Sequence, residues 1–158
     1  MEKNRVHPRL KNYNYSAAGA YFITMCSKDK AHIFGQVSVG RDDLGAPGTE
    51  LSAIGKVVEK YIVSVSEAYK NVSVDNYVVM PNHIHLLLTI RAEGAPGSSR
   101  PTVSQVIAAL KRFTNRECGM KLWQSSFYDH IIRDEKDYFT RWNYIDTNPF
   151  RWAEDEYY

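Results

Sequence analysis

Residues 72–90 constrain this chain more than any other stretch. Val72 to Met80 and His83 to Ile90 are two β-prone apolar runs, and only Pro81-Asn82 separates them. Such a pattern predicts two strands joined by a tight break, and so an antiparallel pair. Side chains alternate faces along a strand, so His83 and His85 point one way and Ile84 the other. Two imidazoles at that spacing can chelate one metal ion. They fit equally a strand with two polar residues on its wetter face, and spacing alone does not decide between these.

Composition narrows the setting. A chain of 158 residues is expected to form one domain over 1–158, with a polar arm at 1–19 and a tail at 150–158. The formal net charge is only +2, so any surface for nucleic acid has to be local. Arg5, Arg9 and Lys11 suggest either an arm that touches phosphate or a solvated lead-in. Aromatic residues make up 13% of the chain, which suits base stacking and a plain core alike. Cys26 and Cys118 match no zinc spacing and are expected as reduced thiols in a cytoplasmic protein. No apolar run approaches the roughly 20 residues of a membrane span, so no membrane partner is expected.

The remaining elements follow from periodicity. Ala20 to Cys26 reads as a strand, and a second extended piece begins at His32 to Gly35. Gly45-Ala46-Pro47-Gly48 and Gly94-Ala95-Pro96-Gly97 read as turns at the tips of connections. Thr49 is expected to open a helix with the stripe Leu51, Ile54, Val57, Val58, Tyr61, Ile62 and Val65. Pro101-Thr102 open a second, with Val103, Val106, Ile107, Leu110 and Phe113 facing the core and Gly119 ending it. Lys111, Arg112 and Arg116 fall off that stripe. Phe127 to Ile132 is extended, and a last helix runs from Asp134-Glu135 to about Asn148, where Pro149 stops it. This order predicts an α+β two-layer sandwich, ferredoxin-like or RRM-like, with an antiparallel sheet, helices on one face and the histidine strand in the middle.

The last helix holds a second group of interest. Tyr144 and Asn148 lie four residues apart, ~400° around a helix, and so nearly share a face. Tyr138, Trp142 and Ile145 form a separate stripe assigned to the core. A tyrosine one turn before an amide is by itself also ordinary packing or capping.

Taken together, these stretches resemble the HUH single-strand DNA endonucleases with one catalytic tyrosine. The nearest resemblance is to single-tyrosine transposases of insertion sequences, in their REP-associated branch. It rests on Tyr21-Phe22-Ile23-Thr24, on Tyr77 to His85 with its Val-Met-Pro-Asn-His-Ile-His string, on Trp123-Gln124 with Phe127 to Arg133, and on Tyr144-Ile145-Asp146-Thr147-Asn148-Pro149. These occur in family order and span residues 20–150.

The resemblance implies a divalent cation, Mg²⁺ or Mn²⁺, on His83 and His85, with Asn148 as third ligand where relatives outside this branch tend to have Gln. It implies that Tyr144 attacks phosphorus, forming a 5′-phosphotyrosine and releasing a 3′-OH. A phenol titrates near 10 and is a weak nucleophile at neutral pH, so it gains from a Lewis acid on the phosphate. The substrate implied is single-stranded DNA beside a hairpin. Lys111, Arg112, Arg116 and Lys121 are candidate phosphate contacts. His130 and Arg133 are candidates to support the site or hold DNA, and His130 reads equally as a structural histidine. Relatives act either as homodimers that exchange the tyrosine helix or as monomers. A non-catalytic nucleic-acid-binding module and a small metallohydrolase with a structural Tyr144 are the competing readings.

Overall fold

The computed structural model describes residues 19–38, 48–91 and 101–154. The basic residues of the expected arm, nearly all of both Gly-Ala-Pro-Gly turns and the last four residues of the tail lie outside these.

The first strand, β1 (Gly19–Cys26), leads through a 3-10 turn (Lys28–Lys30) into a small hairpin of β2 (Gly35–Ser38) and β3 (Gly48–Leu51). Then come α1 (Ala53–Ala68), β4 (Val72–Met80), β5 (His83–Ile90), α2 (Val103–Cys118), β6 (Tyr128–Ile131) and α3 (Glu135–Thr147). A 3-10 segment, Asn148–Glu154, follows α3 directly. The main sheet has the order β4-β5-β1-β6, antiparallel throughout. Without the inserted β2–β3 hairpin this is the βαββαβ ferredoxin-like arrangement, and β5 is central as expected.

Both faces of the sheet are covered. Tyr21, Ile23 and Met25 of β1 and Ile84, Leu86, Leu88 and Ile90 of β5 meet Val58, Ile62 and Val65 of α1 and Val103, Val106, Ile107 and Leu110 of α2. Each such fully buried side chain contributes about 1.5–3 kcal/mol. The opposite face carries a smaller cluster of Phe22, Leu87 and Ile145, against which Val78, Tyr138, Trp142 and Tyr144 pack.

Two expectations are corrected. Thr49 does not open α1: residues 48–51 pair with β2, Thr49 opposite Val37. The helix starts after Ser52, whose side chain accepts from Gly55 N at 3.0 Å, because a serine oxygen satisfies a donor that the first turn leaves open. Phe113 is not core: it is 40% exposed and stacks on Tyr61 with centroids 5.9 Å apart. Thr114 takes the buried position, where its hydroxyl accepts the Trp123 indole N–H at 2.9 Å. As expected, α3 ends at Thr147 just ahead of Pro149, which sits in the first turn of the 3-10 segment that follows, where its missing N–H has no helical partner to lose.

A bulge in β4 docks α3. The pairing with β5 shifts between Val74 and Asn76, leaving Asp75 as the extra residue. Asp75 accepts the hydroxyls of Tyr138 at 2.8 Å and Ser73 at 2.7 Å. Next to it, Asn76 Nδ2 donates to Asp146 Oδ1 at 3.0 Å.

Candidate functional site

His83 and His85 share the face of β5 that turns away from α1 and α2. Across the sheet they pair with Cys26 and Thr24 of β1, while Leu87 pairs with Phe22. Their ring centroids are 4.7 Å apart at 71°, and both side chains are buried. Each ring is held through its Nδ1. Asn82 Oδ1 lies 2.8 Å from His83 Nδ1, and an amide oxygen only accepts, so Nδ1 carries a hydrogen and donates it. Thr24 Oγ1 lies 2.8 Å from His85 Nδ1. Phe22 stacks on the His85 ring at 5.1 Å and 23°. Burial first, then the neighbouring charges of His83 and Arg141, holds His85 well below the ordinary imidazole value. That ring is therefore neutral at pH 7, the form that ligates metals.

The helix α3 brings Tyr144 to this face. Its ring lies 5.3 Å from that of His85 at 68° and 5.8 Å from that of Phe22 at 79°. Helix, strand and tyrosine belong to one chain. Tyr144 thus sits at the edge of the smaller apolar cluster rather than apart from it. Asn148 caps α3 through its N–H to Ile145 O and is buried. The segment it opens places Trp152 over His83, centroids 6.0 Å apart at 30°.

No family model matches the chain. An uncharacterised protein of Haemophilus influenzae is 33% identical over 172 residues, covering 95% of this chain and 91% of its own length. A REP-associated tyrosine transposase of Escherichia coli K12 is 35% identical over 79 residues, which is 49% of this chain but only 44% of that protein. A second H. influenzae protein, provisionally described by the same name, is 24% identical over 90% of this chain and 77% of its own. The structure of a REP-associated tyrosine transposase bound to a REP hairpin superposes with a TM-score of 0.66, at 20% identity, over 92% of this chain and 74% of that one.

The chain resembles REP-associated tyrosine transposases in sequence and shares the fold of one of them.

Set against that resemblance, the chain keeps some expected residues near the histidines and sends others elsewhere. Lys111, Arg112 and Arg116 belong to α2, across the sheet from His83 and His85, whereas Lys121 follows α2 and precedes Leu122, whose carbonyl accepts Lys28 N at 2.8 Å. Lys111 Nζ donates to the carbonyls of Gln124 at 2.9 Å and Ser126 at 3.3 Å, a role in holding the connection to β6. The Arg112 guanidinium lies 5.2 Å from the centre of the Phe113 ring. His130 Nε2 lies 2.7 Å from Asp137 Oδ2, which also accepts from Arg133 N at 3.2 Å. Burial pushes the Asp137 carboxyl up, but those two bonds and the charges of His130 and Arg141 outweigh it and hold it below the ordinary value. His130 and Asp137 thus tie β6 to the first turn of α3.

Among the described residues no three His, Cys, Asp or Glu gather into a metal cluster. The expected third ligand, Asn148, is an amide and lies outside those types. Phe22, Thr24 and Asn82 were named only within the stretches that carry the resemblance, with no role at the site, and Trp152 was not named. Thr24 and Phe22 had a signal, since the strand before the histidine hairpin alternates in phase with it. Among the described residues no helix is long and apolar enough to cross a membrane.

Proposed function

We propose that this chain is a divalent-metal-dependent nuclease and strand transferase that nicks and rejoins single-stranded DNA beside hairpins, with Tyr144 as nucleophile. The observation that carries this reading is the approach of the Tyr144 ring to His85, 5.3 Å between centroids, on one sheet face of a single chain. A non-catalytic binding module has no use for two oriented, desolvated imidazoles beside a phenol.

The donor set suits a Mg²⁺ or Mn²⁺ ion. The Nδ1 atoms of His83 and His85 are already engaged by Asn82 and Thr24, so Nε2 is the atom each would offer. Asn148 would add an amide oxygen, a hard ligand of the kind these cations take. When bound, the ion supplies Lewis-acid withdrawal of charge from the scissile phosphate.

The chain's own residues account for the remaining chemistry. The Tyr144 ring meets the stacked Phe22 and His85 rings edge-on, which restricts where its Oη can be. The Tyr144 oxygen forms a bond to phosphorus and gives up its proton. The bond from phosphorus to the 3′ oxygen breaks, and that oxygen leaves as a 3′-OH. The resulting 5′-phosphotyrosine conserves one ester bond, so attack by another 3′-OH rejoins strands without ATP. REP hairpin binding by the structural neighbour supports a hairpin-flanked substrate for this chain.

The test is a labelled single-stranded oligonucleotide carrying a hairpin, incubated with Mn²⁺ and then denatured. The expected result is a covalent protein–DNA band that chelation removes and that Tyr144→Phe lacks. A band that persists in Tyr144→Phe moves the nucleophile to another tyrosine. Nicking with no adduct in the wild type indicates a metallohydrolase instead.

A further inference from the structure

Lys111, Arg112 and Arg116 lie on the α2 side of the sheet, yet another cationic and aromatic surface adjoins His83. It is built by the connection after β1 and by the segment after α3. Ser27 N donates to Asn82 O at 2.9 Å, and Asn82 Nδ2 donates to Lys30 O at 3.4 Å. The turn at 28–30 is therefore fastened to the residue that orients His83. Lys28 and Lys30 are both exposed.

The turn holds an unusual shape. Asp29 and Lys30 both adopt left-handed backbone, with φ of 58° and 54°. For residues with a Cβ this costs about 1–2 kcal/mol each. Three bonds enforce it: Lys30 N to Ser27 O at 3.1 Å, Ala31 N to Lys28 O at 3.2 Å and Ser27 Oγ to Ala31 O at 2.7 Å. The chain then reaches His32, whose exposed ring meets Trp152 edge-on at 5.5 Å. Trp152 in turn lies over His83. Rings thus run in contact from the surface at His32, through Trp152 and His83, to His85 and Tyr144. Arg151, beside Trp152 in sequence, is exposed as well.

We propose that Lys28, Lys30, His32 and Trp152 form the track on which single-stranded DNA lies as it enters the site, bases against Trp152 and His32 and phosphates against the two lysines. The proposal rests on the reading of the chain as an enzyme of single-stranded DNA. Aromatic faces beside cations are the general means of holding an unpaired strand, because every base has a π-face and every nucleotide a phosphate. Asp29 between the lysines limits the net charge, so stacking carries more of the affinity than charge does. Trp152 is here a positioning residue, acting on the strand rather than on the reacting atoms.

The experiment measures anisotropy of a labelled single-stranded oligonucleotide without a hairpin, in EDTA, over a salt series. Lys28→Ala and Lys30→Asn are compared with wild type; Asn tolerates the left-handed backbone. Each is expected to make the salt slope shallower by about 0.7. Trp152→Ala is expected to weaken binding by about fivefold or more, and Trp152→Phe to retain most of it. Calorimetry with Mn²⁺ alone should find the metal affinity of the lysine variants unchanged. Binding by all four variants at wild-type strength overturns the proposal. So does a loss confined to Arg112→Ala and Arg116→Ala, which puts the strand on the helix layer. A wild type that neither binds nor nicks single strands fails the underlying functional reading, whereas nicking by a wild type whose track variants bind normally fails this proposal alone.

Discussion

Asp75 Oδ2 accepts the Tyr138 hydroxyl at 2.8 Å, and this bond fastens the bulge of β4 to the helix that carries Tyr144. Burial first and then this carboxylate raise the Tyr138 phenol to about 12. A phenol raised on folding stabilises fully below its unfolded value near 10, and that contribution is lost as pH rises through the folded value. Asp75→Ala should lower the titration of one tyrosine, read by ultraviolet absorbance, with burial still holding it above the ordinary value. It should also slow adduct formation by about tenfold or more, since a 1 Å shift of a reacting group can cost far more than that, while Mn²⁺ binding stays.

Asn82 accepts from His83 Nδ1, so its removal should act on the ion that the ring would hold. Asn82→Ala is expected to weaken Mn²⁺ binding by about 10–100-fold, the usual cost of losing a residue that orients a ligand. Calorimetric titration of Mn²⁺ gives the constant. Unchanged affinity would show that His83 is held in place by Trp152 and packing alone.

Gly55 lies where α1 passes the chain before β2. A Cβ there would fall 2.0 Å from Phe34 O, a backbone atom that also accepts from Ser52 N at 3.0 Å. Gly55→Ala should therefore destabilise by about 1–3 kcal/mol, the range for overpacking, despite alanine's better helix propensity. A thermal melt should fall by about 2–4 °C for each kcal/mol.

Asp137 joins His130 of β6 to α3, and its carboxyl is held below the ordinary value. A depressed carboxyl stabilises above its unfolded value and loses that contribution as pH falls through the folded one. Urea midpoints should thus drop more steeply below about pH 4, near the free aspartate value, for the wild type than for Asp137→Asn. Parallel acid limbs for the two proteins would assign no linkage to this pair.

The hairpin of β4 and β5 was legible because its signal is local: two β-prone runs, one break and strict alternation. The strands, both core helices and the position of β5 followed from it. The strand at 48–51 was not legible, since its partner is β2, across residues 39–47, and a four-residue strand beside a helix-like stripe has no period of its own. Phe113 was misread for a related reason. Helical spacing marks a face, but Thr114 is what Trp123 needs there, and that contact comes from outside the helix. At the candidate site the sequence showed which residue types to gather, and the structure puts Tyr144 beside His85. It could not show Asp75 as the anchor, because a bulge is a matter of pairing register. Lys111 was assigned to phosphate from its charge, and only the fold reveals the two carbonyls that occupy its ammonium.

The alternation of β5 has a consequence for folding fidelity. Ile84, Leu86 and Leu88 face the large core while His83 and His85 face α3. A slip of one residue against β1 would exchange the two sets, driving both imidazoles into hydrocarbon and the leucines toward the tyrosine. Misregistered chains would lose cohesion and chemistry together. The strand therefore acts as its own proofreader: any chain that survives as folded also has its histidines on the working side.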